Sequence, residues 1–133
     1  MRSRSPSSAL AWSKKLQQSE TRVVLQQVEG VLIIPFPDPV HDAFLAELQA
    51  STLDYLHRSP VSGLVLDLSA VEILDEHDFS RIRAICHGAG LMGARIVLAG
   101  IRPGVAAGLA MMDLDASWAD TALTVDDAME RVR

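Results

Sequence analysis

Two separate stretches of this chain are apolar at nearly every position, and they constrain its fold more than any other feature. They are residues 63–68 and 95–101, and each is followed by apolar residues at helical spacing. A strand that is apolar on both sides is typical of a parallel sheet with helices on both faces. This alternation predicts an α/β domain with a mostly parallel sheet and right-handed crossovers.

Two shorter β-rich runs, at residues 23–25 and 30–36, precede these stretches. They lie on either side of Glu29 and Gly30, and glycine is common in the tight turns that join antiparallel strands. An antiparallel hairpin is therefore expected to open the sheet.

Helices are predicted where apolar residues recur at a spacing of three or four. The first is expected over about residues 40–58, with Asp38 as its cap and Pro39 at its first position, where no amide hydrogen is required. In the last helix, Thr124 and Asp127 resemble a capping box. The other predicted elements are a helix over about 76–91, a helix that begins at Pro103, and a short strand at 121–123. Together they give a sheet of about five strands, opened by a β-hairpin and packed with about four helices.

The length of 133 residues fits one domain. Residues 1–20 contain four basic residues and one acidic residue, and we expect them to form a flexible N-terminal tail ahead of a folded domain at 21–133. That domain holds eight basic and sixteen acidic residues. A surface so acidic argues against nucleic acid as a partner, because clustered Lys and Arg must replace counterions along the phosphates.

The single cysteine, Cys86, cannot form an internal disulfide, which favours a reducing, cytoplasmic setting. It falls on the apolar stripe of the second predicted helix, so we expect it to lie in the core and not to act as a nucleophile. The longest apolar run is far shorter than the roughly 20 residues that cross a bilayer, so no membrane span is expected. The residues predicted to face the core from the first three helices are Leu45, Leu48, Thr52, Tyr55, Phe79, Ile82, Cys86, Ala89, Val105, Leu109 and Met112.

Residues 88–93 match the dinucleotide-binding pattern G-x-G-x-x-G, but in the wrong context. A phosphate-binding loop follows a strand and opens a helix, whereas these glycines end a helix and lead into a strand. They are interpreted as C-cap and turn residues with positive φ. Gly104 and Gly108 are interpreted as sites of close packing against the sheet.

The four histidines, at positions 41, 57, 77 and 87, lack the spacing of metal ligands. No G-x-S-x-G nucleophile motif is present either. The sequence therefore predicts neither a metal site nor a cofactor, and it favours a protein that is not an enzyme.

The densest polar cluster contains Glu72, Asp75, Glu76, His77 and Asp78, where a buried strand ends and the second helix begins. One interpretation is structural: Asp75 caps the helix, Asp78 is its third residue, and Glu76 is favourable near the positive end of the helix dipole. The other is functional, because recognition surfaces of open α/β sheets lie beyond the carboxyl ends of their strands. The free amides of such a helix start also accept a phosphoryl group.

Two segments of the chain resemble the STAS domain of anti-anti-sigma factors. They are residues 67–75, D-L-S-A-V-E-I-L-D, and residues 91–103, L-M-G-A-R-I-V-L-A-G-I-R-P. The resemblance covers about residues 22–133, and within the family it is strongest to single-domain stressosome scaffolds of the RsbS type. It implies a STAS-like fold and a non-catalytic module of the bacterial stress response. With RsbR-type partners such a scaffold sequesters an RsbT-type serine kinase, and self-association as a dimer or larger assembly is expected.

In that family a serine or threonine directly after the motif aspartate accepts phosphate, which releases the kinase. The resemblance gives Asp75 as the motif aspartate and Glu76 as the acceptor slot, so this chain departs from the pattern in a phosphomimetic-like way. Ser80 and Ser69 are less favoured phosphosites, and Ser80 is expected to be less accessible because Phe79 and Ile82 flank it. An alternative is a stand-alone STAS module that binds an anti-sigma kinase, a ligand or a lipid.

Overall fold

The computed structural model describes residues 22–111 and 119–133. The predicted tail, residues 1–20, and the predicted core residue Met112 lie outside these ranges. The described elements are β1 (Gln26–Val28), β2 (Val31–Pro35), α1 (Asp42–Arg58), β3 (Gly63–Asp67), α2 (Glu76–Leu91), β4 (Arg95–Ala99), α3 (Pro103–Met111), β5 (Asp120–Ala122) and α4 (Val125–Val132).

The five strands form one sheet in the order β1-β2-β3-β4-β5. β1 is antiparallel to β2, whereas the other three pairs are parallel and each is joined through a helix. Glu29 and Gly30 connect β1 to β2 with φ angles of 51° and 79°. Two consecutive positive φ angles are typical of the tight turn that matches the twist of a hairpin. The predicted α/β architecture and its opening hairpin are confirmed.

The first strand begins later than the sequence predicted. Gln26 is its first residue and pairs with Ile33, whereas the predicted run at 23–25 precedes it. Val23 and Leu25 are instead partly buried against the main core. Their hydrophobic character therefore reflects contact with the core and not membership of the strand.

The start of the first helix was also predicted wrongly. α1 begins at Asp42 with His41 at its N-cap, three residues after Pro39. The Asp38 carboxylate lies 3.5 Å from the amide nitrogen of Glu72, which donates to it, so Asp38 links two loops and caps no helix.

The two faces of the sheet are covered by different helices. Strand residues such as Leu64 and Leu66 pack with α1 and α2 in one cluster, whereas Val65 packs with α4 in another. The alternation follows from the two-residue period of a strand. The predicted core positions that are buried are Leu45, Leu48, Thr52, Phe79, Ile82, Cys86, Ala89 and Val105, while Tyr55 and Leu109 are partly buried. Cys86 is only 1% exposed, and this burial raises the pKa of its thiol to about 12.

The glycines of the G-x-G-x-x-G match play different roles. Gly93 has a φ of 93° and forms the predicted turn, but Gly88 and Gly90 lie inside α2, which continues to Leu91. A Cβ on Gly104 would lie 2.4 Å from the carbonyl oxygen of Glu72. The close approach predicted for this glycine is therefore to the loop before α2 and not to the sheet.

α4 approaches the sheet closely over Gly63. A Cβ on Gly63 would lie 2.4 Å from Cβ of Val132, so the absence of a side chain allows this packing. At the start of α4, the Asp127 amide donates to Thr124 Oγ1 at 3.1 Å. The return hydrogen bond of a full capping box is not formed between these two described residues, so that prediction was half right.

Candidate functional site

The predicted polar cluster lies at the carboxyl edge of the sheet. β3 ends at Asp67, and the connection from there reaches the N-cap of α2 at Asp75. The Leu68 amide donates to the Ala99 carbonyl at 2.9 Å, which extends the β3–β4 ladder one residue toward this connection. The start of α2 is thus held beside the ends of two central strands.

Asp75 and Asp78 form the predicted helix cap. The Asp78 amide donates to Asp75 Oδ1 at 2.7 Å, and the Asp75 amide donates to Asp78 Oδ2 at 3.2 Å. Each carboxylate therefore satisfies an amide that the first turn of a helix leaves free. The reciprocal pair fixes the backbone on both sides of Glu76.

The carboxyl of Asp78 has a raised pKa. It is partly buried, and the loss of hydration raises the pKa of its carboxyl above the ordinary 3.8. The nearby negative charge of Asp75 raises it further, while the hydrogen bond from the Asp75 amide opposes the shift. These effects follow from the preference of an ion for water and from repulsion between like charges.

Glu76 is the first residue of α2 and is exposed to solvent. A carboxylate in the first turn interacts favourably with the positive end of the helix dipole. Because Asp75 and Asp78 fix the backbone around it, Glu76 presents a negative charge from a defined position. A serine at the same position would present a hydroxyl there.

The two other members of the cluster contact neighbouring elements. His77 Nε2 lies 3.1 Å from Asp42 Oδ1 in the first turn of α1. Glu72 Oε1 lies 4.0 Å from the guanidinium of Arg102, which precedes α3. All four side chains are about half exposed or more, so each pair contributes little to stability but gives the surface a mixed charge pattern.

Ser80 and Ser69 lie apart from the start of α2. Ser80 is exposed one turn into the helix, contrary to the expected restricted access, because Phe79 and Ile82 point into the core and leave it on the outer face. Ser69 is also exposed, and its amide donates to Asp67 Oδ1 at 3.0 Å. Neither hydroxyl is at the helix start that Glu76 occupies.

An apolar groove beside this corner was not predicted. Its volume is about 510 Å³, and it runs between the residues before α2 and the surface of α3. Ile73 and Met111 border it with 72% and 87% of their surface exposed. Its lining residues are Pro39, Val40, Ile73, Leu74, Asp75, Asp78, Gly104, Ala107, Gly108 and Met111. The apolar Ile73 within an acidic segment was a sequence signal that could have revealed it.

Neither a metal site nor a membrane-spanning helix is found within residues 22–111 and 119–133. No group of three or more His, Cys, Asp or Glu side chains there is arranged to hold a metal ion. In the same residues, no helix combines the length and the apolar character needed to cross a bilayer.

Comparison with known proteins identifies relatives of this fold. The family model described as STAS domain matches residues 22–128. The structure is similar to that of Moorella thermoacetica RsbS with a serine-to-glutamate substitution, at 28% identity and a TM-score of 0.73, covering 84% of this chain and 94% of that one. No match is found among curated proteins.

Two other solved structures share the architecture. A chain in the structure of the stressosome, described as a signal integration and transduction hub, is 28% identical, with a TM-score of 0.72 and coverage of 82% of this chain and 95% of that one. The anti-sigma factor antagonist SpoIIAA in its unphosphorylated form has a TM-score of 0.68 over 84% of this chain and 96% of its own. At 16% identity, SpoIIAA supports the fold alone.

Proposed function

This chain belongs to the STAS domain family, and we propose that it is a non-catalytic cytoplasmic scaffold of the RsbS type. In this proposal it assembles with RsbR-type partners and sequesters an RsbT-type serine kinase. The observation that carries the proposal is the position of Glu76, exposed at the first residue of α2 and held by the cap on either side. The similarity to RsbS and to a stressosome chain supports the same assignment.

In this proposal Glu76 gives the acceptor slot a permanent negative charge, where a serine would carry negative charge only while it is phosphorylated. A phosphoserine carries about −1.5 to −2 charges and three acceptor oxygens, whereas a glutamate carries about −1 and has two oxygens. Glu76 is therefore a partial mimic of the phosphorylated state. The Moorella thermoacetica protein with glutamate in place of a serine offers a parallel to this idea.

The rest of the acidic corner supplies the surface that the kinase or the co-scaffold meets. Glu72, Asp75, Glu76, His77 and Asp78 lie on one connection and the helix that follows it. Such a surface complements a basic patch on a partner, and rim charges of this kind act mainly on the rate and specificity of association. Phosphorylation of Ser69 or Ser80 is not required in this mechanism.

Co-expression tests the assembly. The full chain is produced with an RsbR-type and an RsbT-type protein of the same organism, and the particle mass is measured by size-exclusion chromatography with light scattering. A very large particle that retains the kinase is expected. A dimer that persists in the mixture would contradict the scaffold assignment and favour a stand-alone STAS module.

A second experiment tests the role of Glu76. Glu76→Ser removes the charge and restores a hydroxyl, whereas Glu76→Gln removes the charge alone. Because the permanent charge of Glu76 opposes kinase retention in this proposal, both variants should bind the kinase severalfold more tightly before ATP is added. With kinase and ATP, Glu76→Ser should gain one phosphate by intact mass and Glu76→Gln none.

The outcomes against this role are also distinct. Stoichiometric phosphate on Ser80 or Ser69 of the natural chain would place the switch elsewhere. If Glu76→Ser changes neither kinase binding nor phosphate incorporation, the corner is only a helix cap.

A further inference from the structure

The groove beside the acidic corner has the character of a peptide-binding surface. Its walls are apolar, and Ile73 and Met111 border it while exposing 72% and 87% of their surface. An exposed group of large apolar side chains with a polar rim marks an interaction surface in many proteins.

One side of the groove is negatively charged. Asp75 and Asp78 contribute to its lining, and Glu76 lies between them in sequence. Asp38 and Glu72 are joined by a hydrogen bond next to the lining residue Pro39. The combination of an apolar wall and an acidic rim fits a segment that carries an aromatic or aliphatic residue close to lysine or arginine.

The described chain begins at the edge of the sheet where this groove lies. β1 is antiparallel to β2, so the residues before β1 run toward the carboxyl edge of the sheet. Continued in the register that pairs Gln26 with Ile33, Val23 comes opposite Phe36, and both side chains belong to the main core cluster. The residues before Val23 therefore enter at the edge where Pro39 and the acidic corner lie.

The segment that precedes this point has the complementary chemistry. Residues 9–15 read A-L-A-W-S-K-K, and residues 1–20 as a whole carry four basic residues against one acidic residue. Six residues lie between Lys15 and Arg22, and the seven steps of an extended chain from one to the other span about 25 Å.

We propose that residues 9–15 bind within the groove of the same chain. Trp12 lies against the apolar wall formed by Ile73 and Met111, and Lys14 and Lys15 face the Asp75 and Asp78 carboxylates. A short linker gives the segment an effective concentration on the order of millimolar, so weak intrinsic affinity suffices for substantial occupancy. The bound segment places positive charge beside Glu76 and so reduces the negative charge offered to a partner. That last consequence rests on the proposed function, whereas the binding itself does not.

A spin label on the tail tests the contact in the full chain. Ser8→Cys places the label just outside the binding segment, and the buried Cys86, with a thiol pKa of about 12, resists labelling in the folded protein. We expect the amide NMR signals of Ile73, Asp75 and Gly104 to weaken by about twofold or more when the tail segment occupies the groove to a substantial extent. The amide of Gly93, at the opposite edge of the sheet, should keep its intensity.

Matched variants separate binding from random collisions. Ile73→Ser removes part of the apolar wall at an exposed position, and Trp12→Ser removes its proposed partner. Each should restore the signals of Asp75 and Gly104, and Lys14→Gln with Lys15→Gln should do so in part. Salt at about 1 M, where the screening length is about 3 Å, should also weaken the effect.

Three results would overturn the proposal. The first is no loss of signal in the groove, and the second is an equal loss in the Ile73→Ser variant or at Gly93. The third comes from a mixture of two chains. One carries the spin label but no ¹⁵N, and the other carries ¹⁵N but no spin label. If the signals weaken as much in that mixture as in the sample whose chains carry both labels, the tail of a second copy occupies the groove.

Discussion

The carboxylates of Asp75 and Asp78 each accept a hydrogen bond from the backbone amide of the other residue, at 2.7 and 3.2 Å. This reciprocal pair fixes the first turn of α2, including the exposed Glu76 between them. The same two side chains line the apolar groove. The cap therefore sets the geometry of both surfaces proposed to bind other groups.

Asp75→Ala should lower the free energy of unfolding by about 1 kcal/mol, because an N-cap residue without a side-chain acceptor leaves the amide of the third helical residue unsatisfied. Asp75→Asn keeps an acceptor and should lose clearly less. Urea denaturation followed by circular dichroism measures both. Equal losses in the two variants would mean that the carboxylate charge, and not the cap, matters at this position.

The raised pKa of Asp78 should make its effect on stability depend on pH. Burial favours the protonated form of Asp78 in the folded state. At pH values between the ordinary pKa of 3.8 and the raised pKa, the native chain therefore binds more protons than the unfolded chain. The free energy of unfolding, measured relative to Asp78→Asn, should therefore be highest below 3.8 and fall as pH rises through the raised pKa. A difference between the two proteins that stays constant across this window, or grows with pH, would contradict the assignment.

Gly104→Ala and Gly88→Ala should have opposite effects on stability. The new Cβ at Gly104 would lie 2.4 Å from the Glu72 carbonyl oxygen, so α3 must move and we expect a loss of about 1–3 kcal/mol. The Cβ at Gly88 would lie 3.5 Å from Leu53 Cδ2, an ordinary contact, and alanine should stabilise this helical position by up to about 1 kcal/mol. Chemical denaturation of both variants gives the comparison. A stable Gly104→Ala protein would show that α3 does not approach this loop so closely.

Cys86 should be almost unreactive in the folded protein. Its thiol is buried and has a pKa of about 12, so very little thiolate is present at neutral pH and reagents cannot reach it. Reaction with a chromogenic disulfide should follow the fraction of unfolded chain as urea is increased. Rapid modification without denaturant would indicate that α2 opens locally.

The apolar patterns predicted the central architecture well, because they record which side of each element meets the core. Residues 63–68 and 95–101 contain β3 and β4, and the spacing of Phe79 and Ile82 gave the buried face of α2. The start of α2 followed from Asp75 and Asp78, since a cap is a local interaction between residues three apart.

The errors arose where distant parts of the chain determine local structure. Val23 and Leu25 are apolar because they pack on the core, although they precede β1. Gly104 meets Glu72, a contact between residues far apart in sequence. The groove is formed by the same approach of α3 to the loop before α2, so the local sequence carried only a hint of it, the apolar Ile73 within an acidic segment.

Both outer strands of the sheet, β1 and β5, have only three residues. A strand this short offers few unpaired backbone groups to an incoming strand, which is one way natural proteins avoid joining sheets edge to edge. Copies of this domain are thus poorly suited to build a continuous intermolecular sheet. Any ordered assembly is better served by side-chain contacts through helices and loops, where single substitutions can tune or abolish it.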